Sequence, residues 1–102
     1  MCYNIVMLTI EQIRSVVSRI GEKYGIKKAY LFGSYARGNA NENSDVDLII
    51  DRGDVRTYKD YFHFCEELRD SLGVDVDITA EEGMLPGFFD LIKNDRILLY
   101  GA

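Results

Sequence analysis

Apolar residues return every three or four positions from Thr9 to Tyr24, at Ile10, Ile13, Val16, Val17, Ile20 and Tyr24. That spacing predicts a helix with one face for a core. Thr9 followed three positions on by Gln12 makes a capping box, and Gly25 supplies a stop. Ala29 to Phe32 is a short, partly aromatic apolar run ended by Gly33, which predicts a strand. After a polar, Asn-rich loop, Val46 to Ile50 predicts a second strand, with Asp45 at its entrance and Asp47 inside it. Helical spacing resumes from Thr57 to Leu72, placing Tyr58, Tyr61, Phe62, Cys65, Leu68 and Leu72 on the inner side and leaving Phe64 off that face. Val74 to Thr79 alternates with period two and predicts a third strand. Pro86 suits the first turn of a helix over Gly87–Lys93, and Ile97 to Tyr100 is a closing apolar stretch. The order predicts an α+β fold, an α/β sandwich in which a small mixed sheet packs against helices, as a single domain over residues 1–102.

One feature of this pattern conflicts with simple burial. A strand gains nothing for its core from two ionised carboxylates one residue apart, and Asp45 and Asp47 project to the same face. Asp75 and Asp77 in the third strand also share a face. If the two strands lie side by side, carboxylates from both converge, and such a cluster either takes up protons or binds a cation. Oxygen donors alone select Mg²⁺ or Mn²⁺. Three carboxylates are what two-metal phosphoryl transfer needs, because the ions hold nucleophile and leaving group in line.

The Gly-Ser step before the loop then acquires a role. Gly33 lets the backbone approach a ligand, Ser34 offers a hydroxyl with neighbouring N–H groups to phosphate oxygens, and Arg37 is placed to offset triphosphate charge. A calcium loop is a rival, since Asn39, Asn41, Asn43, Asp45 and Asp47 fall at alternate positions. It fails because Ser44 stands where that loop needs Gly, and Ile50 where it needs a bidentate Glu.

The rest of the chain narrows the setting. The formal net charge is −5 and the 12 Lys and Arg are scattered, which argues against nucleic acid as the main partner. Cys2 and Cys65 fit no zinc spacing, and with His63 the sole histidine the sequence argues against a Cys/His metal site. The start has no basic n-region or cleavage site, and no apolar stretch approaches the ~20 residues that span a bilayer, so a cytoplasmic protein is expected. His63 reads as a surface or boundary residue in an aromatic-rich helix. Glu66, Glu67 and Asp70 read as a solvated helix face, and the stretch EEGMLPGFF, with Met84, Phe88 and Phe89, is the expected interface.

Gly-Ser or Asp-x-Asp alone is a weak signal, but together they are specific. Gly33-Ser34, ten residues, then Asp45-Val46-Asp47, with a further Asp in a later strand, resembles the nucleotidyltransferase signature of the DNA polymerase β superfamily. The wording GSYARG…SDVDL, with LGVDVDIT and ILLYG further on, is similar to the minimal nucleotidyltransferases, the MNT family of prokaryotes. The resemblance implies the nucleotidyltransferase fold and two Mg²⁺ ions held by Asp45, Asp47 and Asp77, with ATP as substrate. It selects Asp77 over Asp75 as third carboxylate, since VDIT matches the family pattern; alternation leaves the pair open. It also implies a HEPN-domain toxin as partner and an antitoxin role in a type VII-like pair, by transfer of AMP to a tyrosine. The short chain has no room for an acceptor-holding domain, so the acceptor is expected from a partner or another subunit. An antitoxin that neutralises its HEPN partner by complex formation alone is the alternative, and transfer to a small molecule a third.

Overall fold

In a computed structural model, which describes residues 8–41, 43–83, 87 and 95–101, the expected elements assemble around one mixed sheet. Helix α1 spans Ile10–Tyr24, strand β1 Lys28–Phe32, a single turn α2 Ser34–Arg37, β2 Val46–Asp51, α3 Tyr58–Leu72, β3 Val76–Ala80 and β4 Ile97–Tyr100. A 3-10 turn, Glu81–Gly83, follows β3. Apart from Gly87, the helix expected over Gly87–Lys93 and the interface expected at Met84, Phe88 and Phe89 lie outside the described residues, as does Cys2.

Local sequence explains the start and stop of α1. The Thr9 hydroxyl accepts the Gln12 N–H at 3.0 Å, and the Gln12 side chain accepts the Thr9 N–H at 2.8 Å. Both orphan donors are thereby satisfied. Gly25 closes the helix in the left-handed region (φ 81°), its N–H donating to the Gly21 carbonyl. Helix α3 is framed alike, with Thr57 capping the Asp60 N–H and Gly73 at its end.

The sheet order is β3-β2-β1-β4. Strand β1 runs antiparallel to β2 and β4, whereas β2 and β3 are parallel and joined through α3. Alternation sends Ala29 and Leu31 of β1 and Val46, Leu48 and Ile50 of β2 into one core with Ile13, Val17 and Ile20 of α1 and Phe64, Leu68 and Leu72 of α3. The helices thus cover one face of the sheet, and Asp47 lies on the other.

The orientation of α3 departs from the sequence expectation. Phe64, expected off the inner face, is fully buried, while Tyr58 and Phe62, expected inside, are 91% and 57% exposed. Phe64 wins its place because its ring meets Tyr24 of α1 edge-on, with centroids 5.7 Å apart. The buried stripe is therefore Phe64, Cys65, Leu68 and Leu72, with Tyr61 half-buried beside it. Strand β3 begins at Val76, two residues later than expected, because Val74 and Asp75 belong to the passage from α3.

Candidate active site

Strand pairing brings the singled-out residues together around Asp47. Its register partner in β1 is Phe32, the residue before Gly33, and its partner in β3 is Asp77. Asp47 is therefore flanked by the Gly-Ser turn on one side and by a second carboxylate on the other. Asp45 precedes β2 by one residue and shares the Asp47 face by alternation. Asp75 sits just before β3, where its carbonyl accepts the Val46 N–H at 3.0 Å, and only Asp77 stands beside Asp47 in the ladder.

Gly33 is required by two constraints at once. Its φ of 77° lies in the left-handed region, and a Cβ there would overlap the Asp47 Oδ2 and lie 3.2 Å from its Cγ. The backbone of the turn thus packs directly on the carboxylate. Ser34 then opens α2, a turn the sequence reading missed because four residues are too few to show a period. Its bonds are local: the Arg37 N–H donates to the Gly33 carbonyl at 3.0 Å and the Asn39 N–H to the Ser34 carbonyl at 3.0 Å. Arg37, at the end of α2, is exposed.

The Asn-rich loop is self-tied. The Asn43 N–H donates to the Asn41 side chain at 2.8 Å, the Asn41 N–H to the Ser44 hydroxyl at 2.9 Å, and the Ser44 N–H to the Asn41 carbonyl at 3.0 Å. These bonds fix the approach to Asp45 and account for Asn and Ser in this stretch.

Electrostatics mark the centre of the site. Burial pushes the Asp47 carboxyl above the usual carboxylate range, the charges of Asp77 and Asp45 push it further, and Arg37 opposes them. The next residue on that strand face, Ile49, is fully buried, so Asp47 meets apolar surroundings along β2. A carboxylate raised by burial and like charges gains from a cation. All donors are hard oxygens, which fits Mg²⁺ or Mn²⁺. Among the described residues no three acidic, thiol or imidazole groups already converge on one point that could hold an ion.

At the entrances to β2 and β3 the structure opens a groove of about 580 Å³, lined by Asn43, Ser44, Asp45, Arg69, Gly73, Val74 and Asp75. Sequence reasoning missed Arg69, because it lies among Glu66, Glu67 and Asp70 on a helix face that reads as solvated, and no local signal separates it from them. His63 and the Tyr58–Phe62 surface lie toward the start of α3, whereas Arg69 and Gly73 at its other end adjoin Asp45.

The chain belongs to the polymerase beta nucleotidyltransferase family, whose profile matches residues 11–102. It is similar to the protein adenylyltransferase MntA of Thermococcus cleftensis, at 32% identity over 95 residues, covering 89% of this chain and 96% of that protein. Among solved structures, a toxin–antitoxin complex with AMP-PNP matches with a TM-score of 0.71 at 22% identity, covering 93% of this chain and 75% of that one. A tri-AMPylated Shewanella oneidensis HEPN toxin in complex with MNT antitoxin matches with a TM-score of 0.68 at 17% identity, covering 92% and 74%. At these identities the two complexes establish the nucleotidyltransferase fold. Among the described residues no helix is long and apolar enough to cross a membrane.

Proposed function

We propose that this chain is a metal-dependent protein adenylyltransferase that moves AMP from ATP to a tyrosine hydroxyl of a HEPN-domain toxin, and so serves as the antitoxin of a type VII-like pair in the cytoplasm. The observation that carries the proposal is the arrangement around Asp47, with Gly33 packed on its carboxylate and Asp77 paired beside it. The MntA relative, named a protein adenylyltransferase, supports the reaction, and the toxin–antitoxin complexes with this fold support the partner.

Each residue has a distinct part. Asp45, Asp47 and Asp77 would hold two Mg²⁺ ions, or Mn²⁺, and Asp77 would help to take the proton of the attacking hydroxyl. Gly33 admits the polyphosphate close to the backbone, Ser34 donates to its oxygens, and Arg37 offsets its charge. When bound, the ions supply charge stabilisation to the phosphoryl group in flight and keep entering and leaving oxygens in line. The protein's own contribution is position, since the sheet fixes the carboxylates and the turn fixes the phosphates.

The test is incubation of the purified protein with Mg²⁺, labelled ATP and its HEPN partner, followed by intact mass of both proteins. A gain of one or more AMP units on the partner is expected, and the Asp45→Asn/Asp47→Asn double variant should lose it while remaining folded. A stable complex without any mass gain would replace transfer by neutralisation through binding.

A further inference from the structure

Asp47 has two unlike flanks. Strand β1 and its Gly33 turn lie on one, and β3 with Asp77 lies on the other. In-line displacement at phosphorus requires nucleophile and leaving group on opposite sides of the atom attacked. If the polyphosphate rests on the Gly33–Ser34 side, the nucleophile arrives from the β3 side. A groove of about 580 Å³ adjoins Asp45 at the entrance to β2 and Asp75 at the entrance to β3, bounded further by the Asn43–Ser44 turn and the end of α3.

The groove carries one cation, Arg69, held in place by its own fold. Its Nε donates to the Val76 carbonyl at 3.3 Å, at the first residue of β3. Arg69 is exposed, and among the described residues no other hydrogen bond or ion pair engages its guanidinium. A planar fork with free donors suits a carboxylate or a main-chain carbonyl. The rest of the described lining is Asn43, Ser44, Asp45, Gly73, Val74 and Asp75, and among the described residues it offers no aromatic ring for a nucleobase to stack on.

We infer that this groove seats the acceptor, a hydroxyl-bearing polypeptide segment of the partner, and that Arg69 is the positioning residue that pairs with a carboxylate or carbonyl beside the acceptor hydroxyl. The inference rests on the adenylyl-transfer proposal above. In the step it serves, the hydroxyl oxygen bonds to the α-phosphorus as the bond from that phosphorus to the bridging oxygen breaks. Pyrophosphate departs with the electron pair, and the hydroxyl proton passes to Asp77 and on to water. Arg69 touches none of the reacting atoms; it sets where the segment lies.

The experiment is steady-state transfer of labelled AMP to the purified HEPN partner, with ATP and partner varied in turn, for wild type, Arg69→Ala, Arg69→Lys and Asn43→Trp. Asn43 contributes its backbone N–H to the loop, so a large side chain there fills the groove and spares the turn. Arg69→Ala should raise the KM for the partner about tenfold or more, with the KM for ATP unchanged, and Arg69→Lys should recover part of the loss. Asn43→Trp should show the same split, and it carries the test if Arg69→Ala does not fold. A rise in the KM for ATP alone would make the groove a nucleotide pocket and overturn the inference, and so would unchanged values for both substrates. Wild type that transfers nothing overturns the parent proposal and this one with it, whereas active wild type with unaffected variants overturns this one alone.

Discussion

At Gly33 the backbone packs on the Asp47 carboxylate, which is proposed to hold a metal ion, so the smallest substitution tests both strain and function. Gly33→Ala places a methyl group on Asp47 and forces an L-residue to φ 77°. The expected cost is about 1–3 kcal/mol in urea unfolding and a loss of transfer on the order of 100-fold. Asp47 itself makes a prediction whose sign follows from its raised pKa. The folded state keeps the proton over a range where the unfolded chain has lost it. Stability of the metal-free protein is therefore greatest on the acidic side and falls as pH rises from the ordinary carboxylate pKa through the raised one. Asp47→Asn should melt higher than wild type at pH 7 without metal, by a margin that narrows on acidification; thermal melts across pH 3 to 8 measure it. Added Mg²⁺ should reverse the ranking, stabilising wild type by about 2.7 kcal/mol at 100 times its Kd and leaving the Asp45→Asn/Asp47→Asn variant unmoved. Equal metal response in both would remove the carboxylates from the metal site.

At the level of elements, what could be read from sequence was what neighbours in the chain decide. The capping box of α1 is complete within four residues, and Thr9→Ala should cost about 1 kcal/mol. The Asp45-x-Asp47 spacing fixes a common face by alternation alone. Helix α3 was harder, because Tyr58, Tyr61, Phe62, His63 and Phe64 place rings all round its first half, and its facing was settled by Tyr24 on another helix. Two unfolding curves check that correction. Phe64→Ala should lose about 3–5 kcal/mol, and Tyr58→Ala should stay within about 0.5 kcal/mol of wild type. The choice between Asp75 and Asp77 was equally beyond local sequence, since it depends on the register of β3 against β2. Arg69 was hidden for the same reason, its setting being made by a loop and a strand that meet only in the fold.

Over the whole molecule, the sheet works as a two-sided plate. One face carries α1, α3 and the core, and the other presents Asp47 with its two flanks. Alternation thereby keeps Asp47 and Asp77 off the face that carries the helices and the core cluster. The ion pair of Lys23 with Glu67, which joins α1 to α3, lies on the exposed side of the helices, and such a pair contributes little. Removing it should leave transfer unchanged.

The connectivity of the plate also sets an order of assembly. Strands β1 and β2 are near neighbours in sequence and pair as a hairpin-like unit, which already holds Gly33 against Asp47. Asp77 arrives only after the chain has traversed α3 and returned in parallel, a longer loop closure. On a ribosome, the Gly33–Ser34 turn therefore emerges together with Asp47 before Asp77 does. A nascent chain halted within α3 would hold Gly33 and Asp47 without Asp77, and on the proposed roles it would gain transfer only when the parallel ladder closes.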